Sequence, residues 1–303
     1  MEMLRDPYGR PATHVRISVT NRCNYSCVFC HREGFSTSSR ELRPEDWAFF
    51  ANVAVGLGLR YYKLTGGEPL LYEGVDGVVK YIREGGGVPS ITTNGYLLRE
   101  FARRLSEAGV DHVNVSLHSL KPEVYSLITG VSALDRVISG IREALDYGIR
   151  LKINYLVLRY NVGELADVLN LASKLGVDVN LIELIPLGMD RRVFSELHVD
   201  LGAVEGEVKS LAVGAEVGEF QNRVVYRLST GIRVYVIKGY GNYLLCAGCT
   251  RIRVGPDGRM KPCLYRDDIY VDLGPAILSR DRAELERLIR LGVSLREPYF
   301  RKP

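Results

Sequence analysis

Six cysteines in a chain of 303 residues fall into two groups of three, with none scattered between them. Cys23, Cys27 and Cys30 are spaced C-x3-C-x2-C on a short loop, directly after the apolar-alternating run Val15-Arg16-Ile17-Ser18-Val19-Thr20. Cys246 and Cys249 form C-x2-C, and Cys263 follows after thirteen intervening residues. Three thiolates are one short of the four that close an ordinary iron–sulfur cluster or a structural zinc site. A cluster held by either set therefore keeps one corner open, where a reacting molecule can bind. A structural zinc with a fourth ligand, His31 for the first set, is the other reading of these triads. Cysteines clustered in this way argue for metal binding over disulfides, and so for a reducing, cytoplasmic setting.

The residues that must position these thiols show a regular rhythm. Val15–Thr20, Arg60–Thr65, Ser90–Thr93, Val110–Leu117, Arg150–Val157 and Val177–Leu184 read as strands. Segments of helical length and period alternate with them: Pro44–Leu57, Gly74–Glu84, Leu97–Ala108, Leu134–Tyr147 and Gly163–Leu175. Such alternation predicts a mostly parallel sheet, doubly wound or barrel-like, its six β/α units being too few for a closed eight-stranded barrel and so a partial barrel if a barrel, with its active loops at the carboxyl ends of the strands. After Pro186-Leu187-Gly188 the rhythm lapses, and Val193–Val217 reads as a helical or irregular connection. Arg223–Leu228, Gly231–Lys238, Thr250–Val254 and Arg259–Pro262 then read as hairpins, the last pair joined by the turn Gly255-Pro256-Asp257-Gly258. The expectation is a small appended β layer, with the chain dividing into residues 1–220 and 221–303.

Side chains on a strand alternate between faces, so packing Val15, Ile17 and Val19 outward turns Arg16 inward. The same reasoning turns Lys63 and Lys152 into the barrel. Three cations inside a sheet are costly unless an anion meets them; pairing with internal carboxylates or reaching out to the rim is the alternative. Arg251 and Arg253 alternate with Ile252 and Val254 just after Cys249, which sends both guanidinium forks to one side, beside the second triad. Composition adds little: hydrophobic residues are 46% and charged residues 25%. The net charge of +4 is too mild to imply nucleic-acid binding. No apolar run approaches a membrane span, and the amino terminus does not read as a signal peptide.

With its aromatic residue before the last cysteine, and with Gly66-Gly67-Glu68-Pro69 one β/α unit later, the first triad resembles the radical S-adenosylmethionine (SAM) enzymes. Adding Cys246, Cys249 and Cys263 with the trailing Arg251-x-Arg253, nearly the whole chain resembles the GTP 3′,8-cyclase family of molybdenum cofactor biosynthesis. Tyr8-Gly9-Arg10, Arg16–Thr20, Val113–Leu117, Gln221-Asn222-Arg223 and Arg251–Leu264 carry that likeness. Cys30-His31-Arg32-Glu33-Gly34 and Arg296–Phe300 look most like its archaeal branch.

The resemblance implies two [4Fe–4S] clusters, one in each triad, the second in the carboxyl-terminal β-rich part. It implies that SAM chelates the first cluster and is cleaved to a 5′-deoxyadenosyl radical, which abstracts the ribose 3′ hydrogen of GTP. The carbon radical then closes onto guanine C8. Gly66, Gly67, Glu68, Thr93 and Ser116 match the SAM contacts, and Arg16, Lys63, Lys152, Arg251 and Arg253 fall to GTP, the last two also as catalytic residues. It further implies an electron donor protein and hand-off to cyclic pyranopterin monophosphate synthase, and it leaves room for a homodimer. Tyr61 and Asn180 stand where bacterial members commonly have lysine and arginine, and the chain ends Tyr299–Pro303 in place of a Gly-Gly tail. A peptide-modifying radical SAM enzyme and a non-enzymatic two-zinc protein are the competing readings.

Overall fold

The β/α rhythm becomes six successive units. β1 (His14–Thr20) leads through the cysteine loop to α1 (Pro44–Gly56), followed by β2 (Tyr61–Gly66), α2 (Val75–Glu84), β3 (Val88–Thr93) and α3 (Leu98–Glu107). Two helices, α4 (Pro122–Thr129) and α5 (Leu134–Asp146), connect β4 (His112–Ser116) to β5 (Leu151–Val157), where the sequence suggests only the second; α6 (Leu165–Leu175) and β6 (Asp178–Glu183) complete the series. The computed structural model of the chain describes residues 3–35, 40–218 and 220–298. The tail Tyr299–Pro303, where the sequence departs from the bacterial pattern, lies outside them.

Residues 191–217, which span the connection read over Val193–Val217, hold α7 (Arg191–Leu197), α8 (Leu201–Leu211) and a strand that the sequence does not announce, β7 (Ala212–Val217). β7 is an edge strand with mostly exposed side chains, so it has no buried face to impose a two-residue alternation. Beyond it come β8 (Val224–Leu228), β9 (Arg233–Ile237), α9 (Tyr243–Ala247), β10 (Arg251–Val254), β11 (Arg259–Lys261), β12 (Val271–Asp272), α10 (Gly274–Leu278) and α11 (Arg282–Ser294).

These late strands do not stack as a layer of their own. One twelve-stranded sheet runs β12-β11-β10-β1-β2-β3-β4-β5-β6-β9-β8-β7. β10 lies parallel to β1 and β9 parallel to β6, so the six-stranded parallel sheet is widened at both edges before antiparallel strands close it off. Unpaired edges of β1 and β6 would leave rows of backbone N–H and C=O groups without partners, and the carboxyl-terminal segment covers both rows. Local turn signals identify hairpins but not the edges they join.

Strand alternation sorts the two faces of the sheet. Val15, Ile17 and Val19 of β1, Tyr62 and Leu64 of β2, Val113 and Val115 of β4, and Ile252 and Val254 of β10 are buried in one apolar core with Trp47 and Phe50 of α1. The opposite faces of β1 to β6, β9 and β10 line a single cavity, so the sheet is curled around it. Among the described residues no single helix is long and apolar enough to cross a membrane.

The exit of β2 docks on the exit of β1. Gly67 N–H donates to Thr20 O at 2.8 Å and Glu68 N–H to Arg22 O at 2.7 Å, fixing the chain that enters the cysteine loop. A Cβ on Gly67 would collide with the backbone of Asn21 and Arg22, and one on Gly66, at φ +147°, with Thr20. The space freed by these glycines is thus filled by the protein's own backbone. Gly77, inside α2, meets nothing within 4 Å. Gly67→Ala should therefore lower the thermal midpoint by several degrees or more, whereas Gly77→Ala should leave it unchanged or raise it, by up to about 1 kcal/mol of stability. Parallel thermal melts of the two variants check this.

Candidate active site

The topology sends the two thiol sets to opposite ends of the strands. Cys23, Cys27 and Cys30 follow the carboxyl end of β1. Cys249 lies two residues before β10, which runs parallel to β1 with His14 opposite Arg251, and Cys263 follows the antiparallel β11 back to that same end. The seven residues of β1 separate the two levels by roughly 20 Å at about 3.3 Å per residue. One cavity of about 890 Å³ connects them, and all six cysteines line it.

At the first pole the thiols are unpaired by disulfides. Tyr25 N–H donates to Cys23 Sγ at 3.4 Å. Burial pushes the Cys27 thiol up to about 12, helped by the proximity of Cys30 and Cys23, and burial raises Cys23 as well. Three thiolates within one another's reach repel, which is the condition that a bound cationic centre relieves by deprotonating its ligands. Among the described residues no three Cys, His, Asp or Glu side chains converge around one point as a single ion requires, with ligands about 2.0–2.3 Å away. A four-iron cluster spreads its thiolates over separate irons, so the donor set fits a cluster with one open corner.

Glu68 lies beside this pole, buried, and accepts from Thr93 Oγ1 at 2.6 Å, Asn94 N–H at 2.7 Å and Leu70 N–H at 3.0 Å. Burial lifts its carboxyl to about 7 against those three donors. Thr93 is accordingly committed: its hydroxyl holds Glu68 and accepts from Gly95 N–H at 3.0 Å, so it reaches a ligand only through the carboxylate. Asn94 Nδ2 donates to Asn24 Oδ1 at 2.8 Å, tying the third loop to the cysteine loop. Ser116 lies half-buried at the end of β4 on the cavity wall.

The second pole is braced from both ends of the chain. Asn242 caps α9 by accepting from Leu244 and Leu245 N–H, and this short helix carries Cys246. Arg10 donates to Cys246 O at 2.9 Å and Arg296 donates to Cys249 O, while buried Asp6 takes Arg10 at 2.8 Å and Arg296 at 3.5 Å. Burial pushes the Cys249 thiol up, but Arg296, Arg251 and Arg253 outweigh it and leave the thiol below its ordinary value, favouring thiolate.

Between the poles the wall is cationic. Arg253, Arg16 and Lys63 are register partners on the adjacent strands β10, β1 and β2. Only Arg16 finds a carboxylate, Glu33 at 2.5 Å; among the described residues none lies within ion-pair distance of Lys63, Lys152, Arg251 or Arg253. Lys152 stands 3.6 Å over the Tyr235 ring, and Arg251 donates to Gln221 Oε1 at 3.3 Å. Asp267 and Asp268, the surface acids that could have neutralised the Arg-x-Arg pair, are taken by Lys261 and Arg266. Burial and mutual repulsion push Lys63 and Arg251 well below their ordinary values. Arg16 Nε, Arg223 Nε, Arg253 Nε, His31 Nδ1 and Asn114 Oδ1 are buried, have no hydrogen-bond partner among the described residues, and belong to residues lining this cavity. Most of these atoms are donors, a lining suited to an anion.

The six cysteines and the candidate SAM and GTP residues Gly66, Gly67, Glu68, Thr93, Ser116, Arg16, Lys63, Lys152, Arg251 and Arg253 thus line one cavity. Others escaped. Glu33 sits in a loop with no periodicity, and Arg223 and Gln221 precede β8 rather than lie on it. His14, ring-stacked at 4.5 Å on Tyr61 and 4.4 Å from Phe220, was accessible, since it shares the alternation of Arg16. Tyr61 therefore serves as a stacking partner where lysine was the bacterial pattern, and Asn180 donates to Asn154 Oδ1 at 2.7 Å.

Residues 17–172 match the Radical SAM superfamily and residues 177–302 match the Molybdenum Cofactor Synthesis C family. Over 98% of this chain and 96% of the relative, the sequence is 41% identical to a protein of Metallosphaera sedula named "Probable GTP 3′,8-cyclase". A protein of the same name from Pyrobaculum aerophilum is 42% identical over 99% of this chain and 98% of its own. Among solved structures, Streptococcus suis SuiB bound to S-adenosylmethionine superposes with a TM-score of 0.66 over 92% of this chain and 65% of SuiB. AdoMet-bound anSMEcpe superposes at 0.60 over 93% of this chain and 84% of that one. At 16% identity these two likenesses carry the fold alone. The chain belongs to the GTP 3′,8-cyclase family of the radical SAM superfamily.

Proposed function

We propose that this chain is a GTP 3′,8-cyclase, converting GTP to (8S)-3′,8-cyclo-7,8-dihydroguanosine 5′-triphosphate in the first step of molybdenum cofactor biosynthesis. The observation that carries the reading is a cavity with an open thiol triad at each end and, between them, a cationic wall in which, among the described residues, only Arg16 meets a carboxylate. Cys23, Cys27 and Cys30 would hold the [4Fe–4S] cluster that meets SAM, and Cys246, Cys249 and Cys263 a second one. With SAM, the first cluster supplies hydrogen-abstracting radical chemistry when bound. The chain divides in this reading near residue 220, the carboxyl-terminal part contributing the second triad.

The protein's own share is placement and shielding. Glu68, fixed by Thr93 and Asn94 and close-packed through Gly66 and Gly67, offers an anionic acceptor suited to an ammonium group such as that of SAM, and Ser116 offers a hydroxyl on the same wall. Arg16, Lys63, Lys152, Arg251 and Arg253 would take the triphosphate. Arginine forks bind phosphate oxygens in pairs, and holding the ribose in one orientation governs the rate of hydrogen transfer steeply. The curled sheet surrounds the site and limits the water that could quench an open-shell substrate. A reduced electron-transfer protein, hand-off to cyclic pyranopterin monophosphate synthase and a homodimeric assembly belong to the same proposal.

The primary test is anaerobic incubation of reconstituted protein with SAM, GTP and a reductant, followed by product analysis. Cyclised GTP is expected; SAM cleavage with GTP recovered unchanged would contradict the reading. Cys27→Ala should abolish 5′-deoxyadenosine formation, whereas Cys249→Ala should retain some uncoupled SAM cleavage and lose cyclised GTP. Charge-assisted contacts contribute roughly 1.5–3 kcal/mol each, so Lys152→Ala should weaken GTP binding about tenfold or more while affecting guanosine little. Equal losses for the two ligands would assign Lys152 to packing. Arg253→Lys keeps charge but loses the fork, so it should retain full iron and cyclise poorly; unchanged product yield would remove Arg253 from the substrate site.

A further inference from the structure

Lys63, Ser90 and His112 are register partners on the neighbouring strands β2, β3 and β4. Serine is short enough for Lys63 to reach across it, and Lys63 Nζ lies 3.0 Å from His112 Nε2. His112 Nδ1 lies 2.8 Å from Asp111 Oδ2. An ionised carboxylate can only accept, so the proton of a neutral His112 sits on Nδ1, and the Nε2 lone pair accepts from Lys63. Asp111 is fixed in turn: its N–H donates to Pro89 O at 2.8 Å, and its Oδ1 accepts from Arg150 Nη2 at 2.5 Å. A chain of hydrogen bonds therefore runs from the surface guanidinium of Arg150 to the ammonium in the middle of the cavity.

The other charged and titratable groups facing Lys63 are unfavourable to that ammonium. Arg16 and His14 face it from β1, Arg251 from β10, Lys152 from β5, and Arg223 from the segment before β8. Burial and these cations favour loss of its proton. The acceptor on His112, backed by Asp111, works in the opposite direction and also fixes where the ammonium points. His112 stays neutral in this role, because burial and Lys63 hold its imidazole down to about 3.

We propose that Asp111 and His112 are a positioning pair that keeps Lys63 oriented and protonated as a phosphate ligand. The inference rests on the GTP reading only for the identity of the anion. Neither residue needs to touch substrate; both act through Lys63.

The test measures binding of GTP, guanosine and inorganic tripolyphosphate to anaerobically reconstituted protein from mildly acid to mildly alkaline pH. In His112→Leu the acceptor is gone, the Lys63 pKa falls further, and the ammonium is lost at lower pH. GTP and tripolyphosphate should therefore bind about tenfold more weakly, with the deficit growing as pH rises and guanosine unaffected. His112→Gln, whose amide oxygen can accept from Lys63, should restore most of the affinity, and Asp111→Asn should fall between. Wild-type affinity and pH profile in His112→Leu would overturn the inference, as would equal losses for GTP and guanosine, or a glutamine variant as weak as the leucine one. Wild-type protein that binds tripolyphosphate but not GTP would count against the cyclase reading while leaving this inference testable on phosphate alone. Binding of neither by the wild type would overturn both.

Discussion

Arg253, Arg16 and Lys63 stand side by side on the inner face of a curled sheet, one strand spacing apart. Two like charges about 5 Å apart repel by roughly 3 kcal/mol at an effective dielectric of about 20, so a row of three, with Lys152, Arg223 and Arg251 nearby, is a substantial electrostatic load. The protein offsets only part of it. Glu33 is brought to Arg16 and Thr65 by a turn in which Arg32 and Glu33 both adopt left-handed backbone, at φ 46° and 54°, a conformation that costs non-glycine residues energy. Opposition from Arg16 and His31 drives the Glu33 carboxyl down to about 2 although burial alone would raise it. One carboxylate paired with a row of cations leaves the row net positive, a surface suited to an anionic ligand.

That requirement organises what surrounds the row. The thiol triads lie on either side of it along the strand direction, because one follows the end of β1 and the other precedes the start of β10, strands that run in the same direction. A substrate anchored at the middle by its phosphates can then present different parts of itself to two different reactive centres. The outward faces of the same strands build the apolar core, so the element that stabilises the fold also fixes the spacing of the site. Asp6, Arg10 and Arg296 lock both chain ends onto the second cysteine loop, which has only the one-turn scaffold of α9.

Much of this was legible in the sequence, for identifiable reasons. Alternation along β1, β2, β5 and β10 was enough to put Arg16, Lys63, Lys152, Arg251 and Arg253 on the cavity wall, because a strand's period fixes its facing once one side is apolar. The six β/α units were legible for the same reason. What was not legible depends on partners distant in sequence. β9 and β10 look like ordinary hairpin strands, and nothing local says that they extend opposite edges of the barrel sheet. Thr93 looks like a free hydroxyl until Glu68 is placed against it. Glu33, although inside the Cys30–Gly34 stretch, and His112 carry no local sign of their contacts, which arise from a strained turn and from a three-strand register.

Where GTP sits between the two poles decides which of its hydrogens is lost. If its phosphates lie on the cationic row and its ribose faces the first triad, the hydrogen lost to SAM's adenosyl carbon comes from ribose C3′. Anaerobic turnover of GTP deuterated only at C3′, with mass analysis of the 5′-deoxyadenosine formed, measures this directly. The account predicts one deuterium in that product for each cyclised GTP. Unlabelled 5′-deoxyadenosine accompanying full cyclisation would contradict it.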